Sequence, residues 1–208
     1  IVSRRQRQMC IRDSPDIASH LSSFAPQLDM AYRLWQPDFL DKLHETGIHI
    51  ASSIYPEQPK GVSSVKIGED SSVCLMKASH PLAKQDHISV EDLISYSHIK
   101  VNGGGDKDSY TDLALRELGY TRHVTFKVPF FSAAINRLVS SEHLMVVPEH
   151  IAVNLAKHWD LAHKALPLET PTHTYWLMWH PKYDTDPAHK WAREEILSVM
   201  QISEYSIR

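Results

Sequence analysis

Between His98 and Ala134 the sequence changes period four times. The short apolar run His98-Ile-Lys-Val101 enters the loop Asn102-Gly-Gly-Gly-Asp106, and Ser109-Tyr-Thr-Asp-Leu-Ala-Leu-Arg-Glu-Leu-Gly119 follows at helical spacing. A second strand, His123 to Val128, stops at Pro129, and a helix over Phe130 to Ser140 begins there. Strand, loop, helix, strand, helix predicts an open α/β sheet covered by helices. Ligands bind such sheets outside the strands' carboxyl ends, where backbone N–H groups and helix N-termini converge. The glycine loop, through Asn102, Gly103 and Gly104, and the facing junction of Pro129, Phe130 and Ser132 are therefore candidate ligand contacts. In the second helix Phe131, Ala134, Ile135, Leu138 and Val139 form one apolar stripe, which leaves Phe130 off it and able to cover a ligand ring.

The first 55 residues repeat the alternation. Met9 to Arg12 reads as a strand, Ser14-Pro15 as the cap and first position of a helix, and Leu28 to Leu34 as a second strand. Asp38 to Glu45 reads as a helix stopped by Gly47, and Ile48 to Ile54 as a third strand, an order that predicts parallel pairing. Ser14 at a strand-to-helix junction, with Trp35 and Gln36 at the end of the next strand, are candidate contacts on the same rim. Strands follow at Val62 to Ile67 and Ser72 to Met76, then a turn region carrying His80-Pro81 and a capping box at Ser89 and Asp92. Leu144 to Val147 is a strand and Pro148 to Ala156 a helix. Thr174 to Trp179 is a strand, and Asp186-Pro187 caps a final helix with apolar positions Ala188, Trp191, Ala192, Ile196, Val199 and Met200.

Composition narrows the chemistry. With 42% hydrophobic and 23% charged residues the 208-residue chain is globular, and it can form one large domain or two lobes. A net charge of -3 argues against this chain alone gripping a phosphate backbone, and Arg4, Arg5 and Arg7 read as a tail or linker over residues 1–7. Two cysteines, Cys10 and Cys74, make a disulfide framework improbable and point to a reducing cytoplasm. No apolar stretch of about 18 residues exists to span a bilayer, and residues 1–12 hold no apolar secretory core. The 14 histidines show no metal-ligand spacing, and His80, His98 and His180 have no evident partner for a pH response. Neither a nucleophile elbow nor a phosphate-binding glycine motif is present. No catalytic residue, metal or cofactor is expected, which suits binding without chemistry.

Six segments in this order resemble the effector-binding domain of LysR-type bacterial transcriptional regulators. They are His80-Pro-Leu-Ala83, Ile88-Ser-Val-Glu-Asp-Leu93, Asn102-Gly-Gly-Gly-Asp106, Val128-Pro-Phe-Phe-Ser-Ala-Ala134, Val146-Val-Pro-Glu149, and the closing segment from Trp179-His-Pro181 to Asp186-Pro-Ala-His-Lys-Trp191. The glycine loop and the Trp-His-Pro segment look most like the nodulation regulators. The resemblance covers roughly residues 8–200. It implies an α/β fold of two Rossmann-like lobes joined by two crossover strands, as in type II periplasmic binding proteins. Lobe I would take residues 8–70 plus 181–208 and lobe II residues 71–180, with a small-molecule effector in the cleft between them. The resemblance further implies a homodimer or homotetramer, no membrane association, and DNA contact only through an N-terminal winged helix-turn-helix that nothing here matches. Two other classes share the fold. An extracytoplasmic solute-binding protein of a transporter is one, and a transferase the other; the latter would need converging arginines, which Arg12, Arg116, Arg122 and Arg137 do not show by sequence position.

Overall fold

A computed structural model describes residues 13–33, 39–43, 45–101 and 109–202. The chain divides into two units, residues 1–69 with 173–208 and residues 70–172. The return to the first unit thus falls before the strand that begins at His173, a few residues earlier than the lobe boundary expected near 181.

The second unit carries a five-stranded sheet in the order β5-β4-β6-β3-β7. Its strands are β3 (Ser72–Lys77), β4 (His98–Val101), β5 (Val124–Val128), β6 (Leu144–Pro148) and β7 (Leu161–Ala165). β4 pairs parallel with both β5 and β6, while β3 pairs antiparallel with β6 and β7. Alternation along β3 builds two cores. Val73 and Leu75 join Ile99, Phe131, Ala134, Ile135, Leu138 and Met145 on one face, under α4 (Phe131–Val139) and α5 (Glu149–Ala156). Cys74 and Met76 join Leu82, Leu93, Leu115 and Leu144 on the other, under α2 (Val90–Ser95), α3 (Tyr110–Glu117) and the 3-10 turn Pro81–Lys84. Three layers result, and each fully buried Leu, Ile or Met stabilises by roughly 1.5–3 kcal/mol before conformational entropy is counted.

Helix limits follow local chemistry. Ser89 and Ser109 each form a reciprocal capping box, with Asp92 and Asp112 respectively. α3 stops because Gly119 adopts φ 80°, letting the N–H of Tyr120 reach back to the carbonyl of Leu115 at 2.8 Å. β7 was not foreseen: Leu161 is its one buried residue, so an edge strand this short carries no readable alternation.

The first unit carries a three-stranded sheet in the order β1-β8-β2, from β1 (Ile50–Ile54), β2 (Ser63–Asp70) and β8 (His173–Trp179). α1 (Asp13–Phe24) and α6 (Pro187–Ile202) cover it through Ile17, Leu21, Leu177, Val199 and Met200. Expectation and structure differ here. Among the described residues β1 pairs antiparallel with β8, which comes from the far end of the chain. Residues 28–33 form no strand; Leu28 and Tyr32 stay exposed and only Met30 packs on the core. Alternation names a face but does not supply a neighbouring strand.

The segment read as a helix over Asp38 to Glu45 runs instead as tight turns where it is described, with the N–H of Lys42 bonded to the carbonyl of Phe39 at 3.2 Å and that of Glu45 to Lys42 at 2.9 Å. Leu43 is nonetheless buried, and Gly47 closes the segment at φ 66°. On α6, Ala188 is exposed and the buried positions are His189, Arg193, Val199 and Met200. The expected strand Met9 to Arg12 and Cys10 lie outside the described residues.

Candidate functional site

Because β4, β5 and β6 run parallel, their carboxyl ends bring three loop-to-helix junctions to one edge of the second unit's sheet. The junctions differ in what satisfies the helix that follows.

The N-terminus of α5 is filled from within. The N–H of Glu149 donates to the carbonyl of Ser71 at 2.8 Å, and the N–H of His150 donates to the Asp70 carboxylate at 3.1 Å. The His150 ring nitrogen Nδ1 pairs with the same carboxylate, and both side chains are buried. Although burial opposes it, these bonds to His150 hold the Asp70 carboxyl below its usual range.

The N-terminus of α3 is filled too, and more elaborately. Ser109 Oγ accepts from the N–H of Asp112, and the Asp112 carboxylate accepts from the N–H of Ser109. That carboxylate also takes Arg122 Nε at 2.6 Å, Lys100 Nζ at 3.1 Å and Ser109 Oγ at 2.8 Å. Arg122 is almost wholly buried, with its side chain 4% exposed, and its Nη2 donates to Ser109 Oγ at 3.1 Å. Burial opposes the charge on Asp112, but the bonds to Arg122, Ser109 and Lys100 outweigh it and hold the carboxyl far below its usual range. Lys100 precedes residues 102–108 and Ser109 follows them, so one carboxylate ties both ends of the glycine loop.

The N-terminus of α4 is unfilled among the described residues. Phe130 occupies its cap position and supplies no side-chain hydrogen bond. Among the described residues no acceptor meets the N–H groups of Phe131, Ser132 or Ala133. Pro129, Phe130 and Ser132 are exposed, Phe130 by 41%, while Phe131 is buried in the stripe. The junction therefore presents free amide donors beside an aromatic ring, a combination suited to a carboxylate or other oxygen acceptor carried on an apolar body.

The remaining candidates fall elsewhere. The backbone of Ser14 lies in the first turn of α1, inside the helix instead of before it. Trp35, Gln36, Asn102, Gly103 and Gly104 lie outside the described residues. Sequence reasoning missed the Asp112 cluster: Arg122 showed no clustering by position, yet folding brings it onto a carboxylate ten residues away. The Ser109-x-x-Asp112 spacing was the available signal, since a capping box fixes where that carboxylate sits.

The three histidines without an evident partner all have one. His98 Nε2 donates to the carbonyl of Leu93 at 2.8 Å, and its Nδ1 faces Arg122 at 3.5 Å. Burial first, then the Arg122 charge, pushes His98 down to about 4. His80 and His180 each cap a 3-10 turn that begins with proline, accepting at Nδ1 from the N–H of Leu82 and of Lys182, both at 3.1 Å. Cys74 is fully buried, and burial raises its thiol to about 12, which removes it as a nucleophile at neutral pH. Among the described residues no group of three or more His, Cys, Asp or Glu side chains converges on a metal-sized centre, and no helix is long and apolar enough to cross a membrane.

The chain is 25% identical over 181 residues to the HTH-type transcriptional activator NagR of Ralstonia sp, covering 86% of this chain and 60% of that protein. It is 26% identical over 189 residues to Nodulation protein D 1 of Sinorhizobium fredii, covering 89% of this chain and 54% of that protein. The chain thus spans only a little over half the length of these relatives.

The regulatory domain of MexT, a transcriptional activator in Pseudomonas aeruginosa, superposes with a TM-score of 0.74 at 24% identity, covering 89% of this chain and 92% of that one. The effector binding domain of QuiR in complex with shikimate superposes at 0.66 and 16% identity, covering 90% of each. These neighbours share the fold, that of LysR regulatory domains, which is like the type II periplasmic binding proteins. The pattern of the LysR substrate binding domain matches residues 15–201, and the chain belongs to that family.

Proposed function

We propose that this chain is the effector-binding domain of a LysR-type transcriptional regulator, acting in the bacterial cytoplasm, and that it binds a small molecule without converting it. One observation carries the reading. Of three helix N-termini at the carboxyl ends of the parallel strands, two are filled by the protein's own groups, while that of α4 meets no acceptor among the described residues and lies beside exposed Phe130. A fold that satisfies its backbone elsewhere leaves such donors free where a ligand is to complete them.

The ligand we propose is a small acid with an apolar body, its carboxylate on the N–H groups of Phe131 and Ser132 and its body on Phe130 and Pro129. Ser14, Trp35, Gln36, Asn102, Gly103 and Gly104 are proposed as further contacts, and Ser132 as a hydroxyl partner. Support comes from the QuiR domain, whose ligand shikimate is a small carboxylate. NagR is named as a transcriptional activator and the MexT domain as the regulatory domain of one, not as enzymes or transporter components, so a solute-binding protein or a transferase is not favoured.

Ligand binding would shift the domain between conformations only by its differential affinity for them, and a coupling of about 1–3 kcal/mol alters a partner's binding several-fold. The partners are a second copy, as homodimer or homotetramer, and DNA through a helix-turn-helix domain of the kind the relatives' names record. This chain alone, at net charge -3, is expected to give no sequence-specific mobility shift.

The test is a thermal-shift screen of small carboxylates, shikimate included, on the wild-type chain and on Phe130→Ala. A ligand at about 100 times its Kd adds about 2.7 kcal/mol, a rise of roughly 5–10 °C for a chain of this size. Phe130→Ala should lose most of that rise while melting unliganded near the wild-type temperature. An undiminished rise in the variant removes the α4 junction from the site.

A further inference from the structure

The carboxyl end of β5, which carries Pro129 and Phe130 into α4, is weakly fixed by its own contacts. β5 lies at the edge of its sheet and pairs only with β4 among the described residues. Thr125, Phe126 and Lys127 are exposed, and Val128 alone in the strand is buried. The register also shifts after the first pair. His98 lies opposite Val124 but Ile99 opposite Phe126, which leaves Thr125 as an extra residue. Three pairs then set where the strand ends: Ile99 with Phe126, Lys100 with Lys127 and Val101 with Val128. The middle pair puts two lysines side by side on adjacent strands, and like charges so placed are destabilising. This register needs a countercharge.

Asp112 supplies it. Its Oδ2 accepts from Lys100 Nζ at 3.1 Å, from the N–H of Ser109 at 3.2 Å and from Ser109 Oγ at 2.8 Å, while its Oδ1 accepts from Arg122 Nε at 2.6 Å. Arg122 stands two residues before β5, so one carboxylate joins the carboxyl end of β4, the start of α3 and the approach to β5. An asparagine of the same shape cannot replace it. Its amide nitrogen would face Lys100 and Ser109 in one orientation and Arg122 in the other, donor against donor in both. The same spacing on α2, Ser89 with Asp92, meets no cation among the described residues, so capping alone does not call for the cluster.

On the reading that an acid binds at α4, we infer that Asp112 is a positioning residue for that site: by neutralising Lys100 it holds the β4–β5 register that places Pro129, Phe130 and the amides of residues 131–133. Simple electrostatics has the opposite sign. Removing a negative charge near the carboxyl ends of the strands would tighten the binding of an anion, whereas losing the register weakens it.

The test titrates benzoate, a small acid with an apolar body, into the wild-type chain and its variants while amide shifts are followed by NMR. Asp112→Asn should bind benzoate about fivefold more weakly or worse. Lys127→Gln in that background should recover part of the loss, although it removes a further positive charge. Asp112→Glu keeps the charge and a capping box but moves the carboxylate by one methylene. It should lose affinity in the same direction while melting closer to the wild type, which covers the case in which Asp112→Asn does not fold. Asp92→Asn should leave the affinity unchanged. Before benzoate is added, both Asp112 variants should shift amides between residues 126 and 133, and Asp92→Asn should not. Unchanged or tighter binding in the Asp112 variants, a loss deepened by Lys127→Gln, or unliganded spectra matching the wild type over those residues would overturn the proposal. Benzoate that fails to saturate the wild-type amides of residues 131–133 counts against the acid-binding reading, whereas the unliganded spectra decide the hold of Asp112 on the junction.

Discussion

Each unit buries a histidine against an arginine in the same way, and the two pairs then part company. In the second unit His98 Nε2 donates to the carbonyl of Leu93, Nδ1 faces Arg122, and Arg122 ends on the Asp112 carboxylate. In the first, His189 Nε2 donates to the carbonyl of His49 at 3.1 Å and Nδ1 accepts from Arg193 at 2.8 Å. Arg193 ends on the Tyr183 carbonyl at 2.9 Å and lies 4.3 Å over the Trp179 ring, with no carboxylate paired to it among the described residues. The nearby Asp184 carboxylate is taken by Trp179 Nε1 and Ser63 Oγ. A buried guanidinium can therefore be held by a full countercharge, or by carbonyl dipoles and an aromatic face. The first arrangement fixes the ends of a loop in the proposed ligand region, whereas the second fixes α6 to its own unit.

The largest effect that should separate the pairs comes from removing each carboxylate charge. Asp112→Asn leaves Arg122 buried beside Lys100 with no countercharge and should cost about 3 kcal/mol in denaturant unfolding. Asp184→Asn should cost far less, because that side chain is exposed and pairs with no buried cation among the described residues. Equal losses would break the distinction.

Acid should show the next effect. The unfolded chain takes up a proton on histidine near pH 6.5, while folded His98 stays neutral down to about 4. Between those values the unfolded state binds more protons. Stability present above pH 6.5 is thus lost as the pH falls toward 4, by up to roughly 3 kcal/mol from this residue. His189 is lowered in the same direction, mainly by burial, as is His80. Denaturation midpoints across that range should flatten most in His98→Asn and less in His189→Asn; the reverse order would mean that the pair without a carboxylate is the more tightly enclosed one.

Smaller effects sharpen the picture at the helix ends. Ser109→Ala removes a cap and a partner of Arg122 and should cost somewhat over 1 kcal/mol, whereas Ser89→Ala removes a cap alone and should cost about 1 kcal/mol or less. Gly119→Ala, at φ 80° with open space around the added methyl, should cost about 1 kcal/mol through backbone strain alone. Urea titrations of the three variants give the ranking.

The second unit was far more legible in sequence than the first, for physical reasons. Its strands alternate with helices that carry capping boxes at Ser89 and Ser109 and a five-residue stripe on α4, so period and punctuation agree. In the first unit β8 arrives from more than a hundred residues away to sit between β1 and β2, and no local pattern announces a partner so distant. Ala188 misled because the buried face of α6 is set by His189 and Arg193, whose mutual hydrogen bond makes two polar residues behave as core. Phe130, which lies off the α4 stripe in sequence, is exposed at the cap position of that helix. What could not be read was that the two neighbouring helix ends are filled, since Asp70 and Arg122 reach them only through the fold.

The central claim is that free amides at the start of α4 receive a small acid and leave it unchanged. Amide-resolved NMR of the chain, with the carboxylate that gives the largest thermal shift, tests it directly. The account predicts saturable shifts led by Phe131, Ser132 and Ala133 and full recovery of the compound. Shifts that spare those three amides, or conversion of the compound, would contradict it.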